Sequence, residues 1–240
     1  MSHARFVLSQ FIALACAAMA LPVAAATLRG ADGPPAQVPQ LHVGDRWTYQ
    51  ASDGYRKQVT WQETYEIASV TPDAITVKVA VKGAGVDHTR TEIWSAPGVM
   101  VQGAIYETET RKFDPPWIRY KFPMKPGDSW SQQIRDPNKE PGPYGPIQSK
   151  VTVGGYEQVK TPAGTFNAIK LRYFLRLDDE TFWRFPTECD YVVWYAPDPG
   201  VMVRAEKRSD WREKGGTGKG QVANFGQRAV YQLVSFTRGS

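Results

Sequence analysis

The stretch Tyr191-Val-Val-Trp-Tyr-Ala-Pro-Asp-Pro-Gly-Val-Met-Val-Arg204 decides how the chain reads. Aromatic and β-branched residues form one strand, Pro197, Asp198, Pro199 and Gly200 make a turn, and a second strand leaves in the opposite direction. A shorter echo occurs earlier, as Ile93-Trp-Ser-Ala-Pro-Gly-Val-Met-Val101. A hairpin that occurs twice suggests a chain built twice on one plan.

Other landmarks carry the echo outward. Gly44-Asp-Arg-Trp47 is matched by Gly127-Asp-Ser-Trp130, and the turn at Thr71-Pro72 by the turn at Thr161-Pro162. From Gly44 to Thr71 the chain runs 27 residues, and from Thr71 to Ala96 another 25. The second set runs 34 from Gly127 to Thr161 and 35 from Thr161 to Ala196. The extra residues fall in the proline-rich loop from Arg135 to Pro146 and around Asp178 to Pro186, where insertions cost little loop entropy. Two pseudo-repeated halves, about 41–121 and 122–240, of a single β domain are expected.

Between the landmarks the period is two. Ile75, Val77, Val79 and Val81 alternate with Thr76, Lys78, Ala80 and Lys82, and Ile169, Leu171, Tyr173 and Leu175 alternate with Lys170, Arg172 and Arg176. Trp47 and Tyr49 share a face, and a last strand is expected near Ala229 to Thr237. Lys57 to Val70, His88 to Trp94, Val99 to Thr108, Trp117 to Phe122 and Lys150 to Lys160 read as further strands, with Pro115-Pro116 as an interruption. No apolar stripe keeps a 3.6-residue spacing for three turns. The fold class is all-β: ten to twelve strands in an antiparallel meander that forms a barrel or half-barrel.

Residues 1–26 read as a cleaved signal peptide, with Arg5 at the start, an apolar run from Phe6 to Leu21 and Ala24-Ala25-Ala26 at the cleavage site. Lipidation at Cys16 is the less favoured reading, because Ala13-Leu14-Ala15 lacks the usual leucine three residues before such a cysteine. Residues 27–40, rich in Gly, Pro and Ala, read as a flexible leader. Export makes the protein periplasmic or secreted. With Cys16 removed, Cys189 has no partner for an internal disulfide. No second long apolar run follows, so no helical membrane span is expected after cleavage.

The formal net charge of +5 falls to +4 once Arg5 is gone. Basic residues gather between Arg204 and Lys219, but Glu206, Asp210 and Glu213 interleave with them, which reads as a solvated pair of strands. No dense basic stripe suggests nucleic acid as a partner.

Catalytic chemistry finds little support. His42 and His88 are the only histidines after the signal, and no Gly-x-Ser-x-Gly occurs. Cys189 reads as a buried, inert thiol in preference to half of a pair with His88. Asp178-Asp179-Glu180 suits a polar loop better than a cation site, since adjacent strand residues point to opposite faces. Gly215-Gly-Thr-Gly-Lys-Gly220 lacks the spacing of a phosphate loop. The carboxylates select no glycosidase pair. Trp117, Tyr144, Trp183 and Trp211 could stack on sugars or line a groove, although as strand-face residues they need do neither. No catalytic residue, metal ligand or cofactor is picked out, and the ligand-binding residues are not identifiable.

Pro126-Gly-Asp-Ser-Trp130, Lys160-Thr-Pro-Ala-Gly-Thr-Phe-Asn-Ala168 and Trp194-Tyr-Ala-Pro-Asp-Pro-Gly-Val-Met-Val203 resemble a group of exported bacterial proteins classed as a domain of unknown function. Those proteins share P-G-D-x-W, P-A-G-T-F-x-A and W-Y-A-P-x-V-G and close on a strand like Tyr231-Gln-Leu-Val-Ser-Phe236. The resemblance covers mainly residues 122–238. Asp198-Pro199 is an addition here, and Met202 stands where the group often has glycine. The resemblance implies an envelope protein with a curved antiparallel sheet, and it implies no catalytic residue. A non-enzymatic carrier of an apolar, lipid-like or amphipathic ligand is the first functional expectation. A module that docks on an envelope protein or polysaccharide is the second, and an enzyme the third.

Overall fold

A computed structural model describes residues 33–83, 85–105, 109–138, 145–178, 183–214 and 224–239. The signal peptide, Cys16, Asp179, Glu180, Tyr144 and the Gly215–Gly220 run lie outside the described residues.

Twelve strands follow one another: β1 (Arg46–Asp53), β2 (Thr60–Val70), β3 (Ile75–Gly83), β4 (Val86–Ala96), β5 (Val99–Gly103), β6 (Arg111–Ile118), β7 (Ser129–Ile134), β8 (Ile147–Thr161), β9 (Gly164–Leu177), β10 (Thr187–Ala196), β11 (Val201–Arg212) and β12 (Asn224–Thr237). They form one sheet in the order β6-β5-β4-β3-β2-β1-β12-β11-β10-β9-β8-β7, with every neighbouring pair antiparallel. Each half of the chain is therefore a six-stranded meander, and the meanders join through the first and last strands. No helix long and apolar enough to cross a membrane occurs among the described residues.

The alternating residues that define the strands point inward as expected. Ile75, Val77, Val79 and Val81, like Ile169, Leu171, Tyr173 and Leu175, are buried, and Trp47 and Tyr49 are buried beside them. Some boundaries differ from the expected ones. The expected strand at Val99 to Thr108 ends at Gly103, and β6 runs through Pro115-Pro116 instead of stopping there.

Those prolines set how the barrel closes. They carry no N–H, so β6 cannot pair continuously with β7. Among the described residues the edges meet through one backbone bridge, in which Asp114 and Arg135 exchange both hydrogen bonds. Side chains then take over. Gln132 Oε1 accepts from Ile118 N at 2.7 Å, its Nε2 donates to Pro116 O at 3.1 Å, and Trp130 Nε1 donates to Ile118 O at 2.9 Å. The result is a nearly closed barrel with one lightly stitched seam.

The two Gly-Asp-x-Trp turns are built alike. Gly44 N donates to Ile67 O while Ile67 N donates to Asp45 O; Gly127 N donates to Val153 O while Val153 N donates to Asp128 O. In each turn the aspartate side chain also caps the backbone N–H three residues before it, on His42 or Lys125. Gly98 and Gly200 take φ values of 83° and 88° in the β4–β5 and β10–β11 turns, a left-handed region open chiefly to glycine. The hairpins differ in phase, however. Trp94 lies inside the barrel, whereas Trp194 lies on the outer face between Lys170 and Arg204 with its indole on Glu157.

The leader also has structure. Ala36 is buried and exchanges two hydrogen bonds with Met124, and Tyr156 Oη donates to Pro34 O at 2.7 Å. Residues 34–41 thereby lie along one end of the barrel, where Pro39 and Leu41 join the wall of the interior space.

Candidate functional site

A closed sheet of about eight strands is just wide enough for side chains to fill its interior, and wider barrels enclose space. Twelve strands enclose a cavity here. Counted with the solvent at its mouth, the empty space amounts to about 1320 Å³, of which the centres of water-sized molecules can occupy about 120 Å³. Its wall runs round the barrel, from Trp47 and Tyr49 on β1, through Glu92 and Trp94 on β4, to Tyr191 on β10 and Tyr231 on β12.

The unusual part of that wall is an ionic cluster built across β2, β3 and β4. Between the two neighbours β3 contributes Val77, Val79 and Val81 at its inward positions, and these short side chains leave room above them for long ones from both sides. Arg90, from β4, reaches into that room with its side chain only 8% exposed. It donates to Tyr65 Oη at 2.9 Å, to Glu92 Oε1 at 3.3 Å and to Glu63 Oε2 at 3.4 Å. Glu63 also accepts from Trp61 Nε1, Tyr65 Oη and Tyr231 Oη. Glu92 accepts from Trp94 Nε1 at 3.1 Å and pairs with Arg119 at 3.6 Å, whose guanidinium stands over the Trp94 and Tyr120 rings.

Electrostatics follow from this crowding. Burial alone would raise the Glu63 pKa; Arg90 and then Lys207, helped by the Trp61 and Tyr65 hydrogen bonds, outweigh it and hold the carboxyl below its ordinary value. Burial raises the phenols of Tyr49, Tyr65, Tyr173 and Tyr231 well above theirs, so these residues act as neutral hydroxyls. Lys207 moves the other way. Burial lowers its pKa, Glu63 opposes that shift, and Arg119 and Arg90 reinforce it.

Lys207 corrects an expectation. The basic residues after Arg204 read as a solvated face, and Arg204 and Arg208 do sit outside, paired with Glu206 and Asp210. Lys207 has the opposite parity, in phase with Val203, Ala205 and Ser209, and faces the cavity. The same parity test finds the rest of the cluster. Trp61, Glu63 and Tyr65 share one phase, and Arg90, Glu92 and Trp94 share another. A charge in phase with buried aromatics was the signal available in the sequence.

The residues singled out from sequence are scattered. Trp117 is buried, with its indole on Ser149 Oγ at 3.1 Å. Trp183 is exposed and meets Trp211, a half-buried residue near the end of β11, edge-on at 5.9 Å. Cys189 is buried on β10, and burial pushes its thiol up to about 12. His88 stands on β4 opposite Val81, in the other half of the sheet. Among the described residues no group of histidines, cysteines and carboxylates is placed to hold a metal.

No protein-family profile matches the chain, and no curated protein matches it in sequence. Two solved structures are similar in shape. One, from Bacteroides fragilis NCTC 9343, is described as an exported protein with a YMCC-like fold; it shares 14% identity at a TM-score of 0.46, covering 84% of this chain and 99% of that one. The other, from Parabacteroides distasonis ATCC 8503, is described as a lipoprotein; it shares 13% identity at a TM-score of 0.46, covering 83% of this chain and 97% of that one.

Proposed function

We propose that this chain is an exported, envelope-located binding protein that carries an amphipathic molecule inside its barrel. The observation that supports the reading is the cavity. An interior that served only stability would be filled with aliphatic side chains at close packing. Here the barrel keeps open space and lines it with tyrosine and tryptophan edges, with apolar side chains such as Leu41, Phe122, Val193 and Val201, and with an ionic cluster. Rings with polar tips suit a ligand that is partly apolar and partly polar. Envelope location rests on residues 1–26, read as a signal peptide.

Native mass spectrometry of residues 27–240, purified from the periplasm without detergent, tests the reading. The expected result is a reproducible added mass that organic extraction removes. A bare protein mass, together with no uptake of an amphipathic dye by the folded protein, would overturn it.

A further inference from the structure

We propose that Lys207 is the docking point for the anionic headgroup of the ligand. The inference rests on the carrier reading and adds the chemical class of what is carried.

The charges facing the cavity do not balance. Arg90, Arg119 and Lys207 face Glu63 and Glu92, and both carboxylates are already engaged. Glu63 takes hydrogen bonds from Arg90, Trp61, Tyr65 and Tyr231, and Glu92 takes them from Arg90 and Trp94 while pairing with Arg119. Glu63 is the carboxylate that Lys207 feels most, but among the described residues no carboxylate lies within ion-pair distance of the Lys207 ammonium. Its neighbours are ring faces, with Tyr231 at 4.8 Å and Tyr191 at 5.6 Å from Nζ to the ring centre. Ring faces attract a cation, yet they accept none of its three protons as an oxygen would.

The surroundings of Lys207 suit an oxyanion. Ser209 lies two residues along β11 on the same face, Gln227 is its cross-strand partner on β12, and both line the cavity. A hydroxyl and an amide beside an ammonium offer donors to a carboxylate or a phosphate monoester. The tail has a path as well. From Lys207 to Met202 along β11 is about 17 Å at 3.3–3.4 Å per residue, and along that way Val193, cross-strand from Ala205, and Val201 line the cavity. The shared chemistry is thus an acyl or alkyl body ending in a single oxyanion group.

The test is calorimetric titration of the delipidated chain, residues 27–240, with dodecanoate, dodecyl phosphate and dodecanol. Wild type should bind at least one of the two anions about tenfold or more tightly than dodecanol, the scale of a hydrogen bond to a charged group. Whichever anion binds better identifies the headgroup. Lys207→Met should lose that preference while its urea melt, followed by tryptophan fluorescence, keeps one cooperative transition like that of wild type, which reports that the barrel has folded. Lys207→Arg should restore most of it. Dodecanol binding with no anion preference in wild type, or a preference that survives in Lys207→Met, overturns the assignment and leaves the carrier reading standing. If none of the three amphiphiles binds wild type, both fall.

Discussion

Arg90→Met removes the centre of the ionic cluster without leaving a large void. Two carboxylates depend on this guanidinium, and its side chain is 8% exposed, so solvent replaces little of what is lost. Breaking a buried ion pair from one side costs about 3–5 kcal/mol. The lower end applies, because Glu63 keeps donors from Trp61, Tyr65 and Tyr231 and Glu92 keeps Trp94 and Arg119. With a urea m-value of about 2–3 kcal/mol/M, a loss near 3 kcal/mol moves the midpoint down by about 1–1.5 M, read by the fluorescence of the eight tryptophans. The pH dependence supplies a second check. In wild type the folded pKa of Glu63 is depressed, so its contribution is present above the ordinary carboxylate pKa and is lost as pH falls through the folded value. In the variant burial dominates and the folded pKa rises above the unfolded one. The unpaired charge then destabilises near neutrality and is relieved on acidification, so the deficit narrows toward about pH 4. A midpoint within about 0.3 M of wild type near pH 7, or a deficit that widens as pH falls, would refute the reasoning.

Gly200→Val combines a positive φ with a Cβ placed 2.8 Å from Pro39 Cβ, whereas a Cβ at Gly164 (φ 139°) meets nothing closer than 3.8 Å. Thermal or urea melts should therefore show a loss of about 2–3 kcal/mol for Gly200→Val and about 1–2 kcal/mol for Gly164→Val, and equal losses would count against this account. Gln132→Ala leaves Ile118 N and Pro116 O without their partner at the seam and should cost about 1–3 kcal/mol, measured the same way. Cys189, the sole cysteine of residues 27–240, should react with a thiol reagent such as Ellman's only after unfolding, because burial both shields the thiol and raises its pKa; rapid reaction of the native protein at neutral pH would contradict that.

The fold was legible wherever one residue's neighbours decide it. Val77, Val79 and Val81 declare a one-sided strand through their spacing, and Gly200 declares a turn because few other residues accept its backbone. Closure was not legible. That β1 pairs with β12 depends on contacts between residues such as Trp47 and Phe236, which no local window connects. Nor did the spacing reveal that Pro115-Pro116, an apparent interruption, lies within an edge strand where missing N–H groups are tolerated. The site was legible only in principle, because Lys207 among interleaved charges looks like solvent-facing composition until its phase is tied to Val203 and Ala205.

The seam and the β1–β12 junction have a consequence for the order of assembly. The best-paired closure joins the ends of the chain, Arg46 with Thr237, whereas the lightly stitched one joins neighbours linked by a short covalent connection. A chain emerging from its N-terminus can zip β1 through β6 early, yet it must hold β1 as a bare edge until residues 224–237 arrive. Long-range pairing of this kind is slow to form, and an unpaired strand edge invites other chains. The interval before β12 docks is thus when this protein is most prone to aggregate. A truncation that removes β12 should yield insoluble half-formed sheets instead of a smaller barrel.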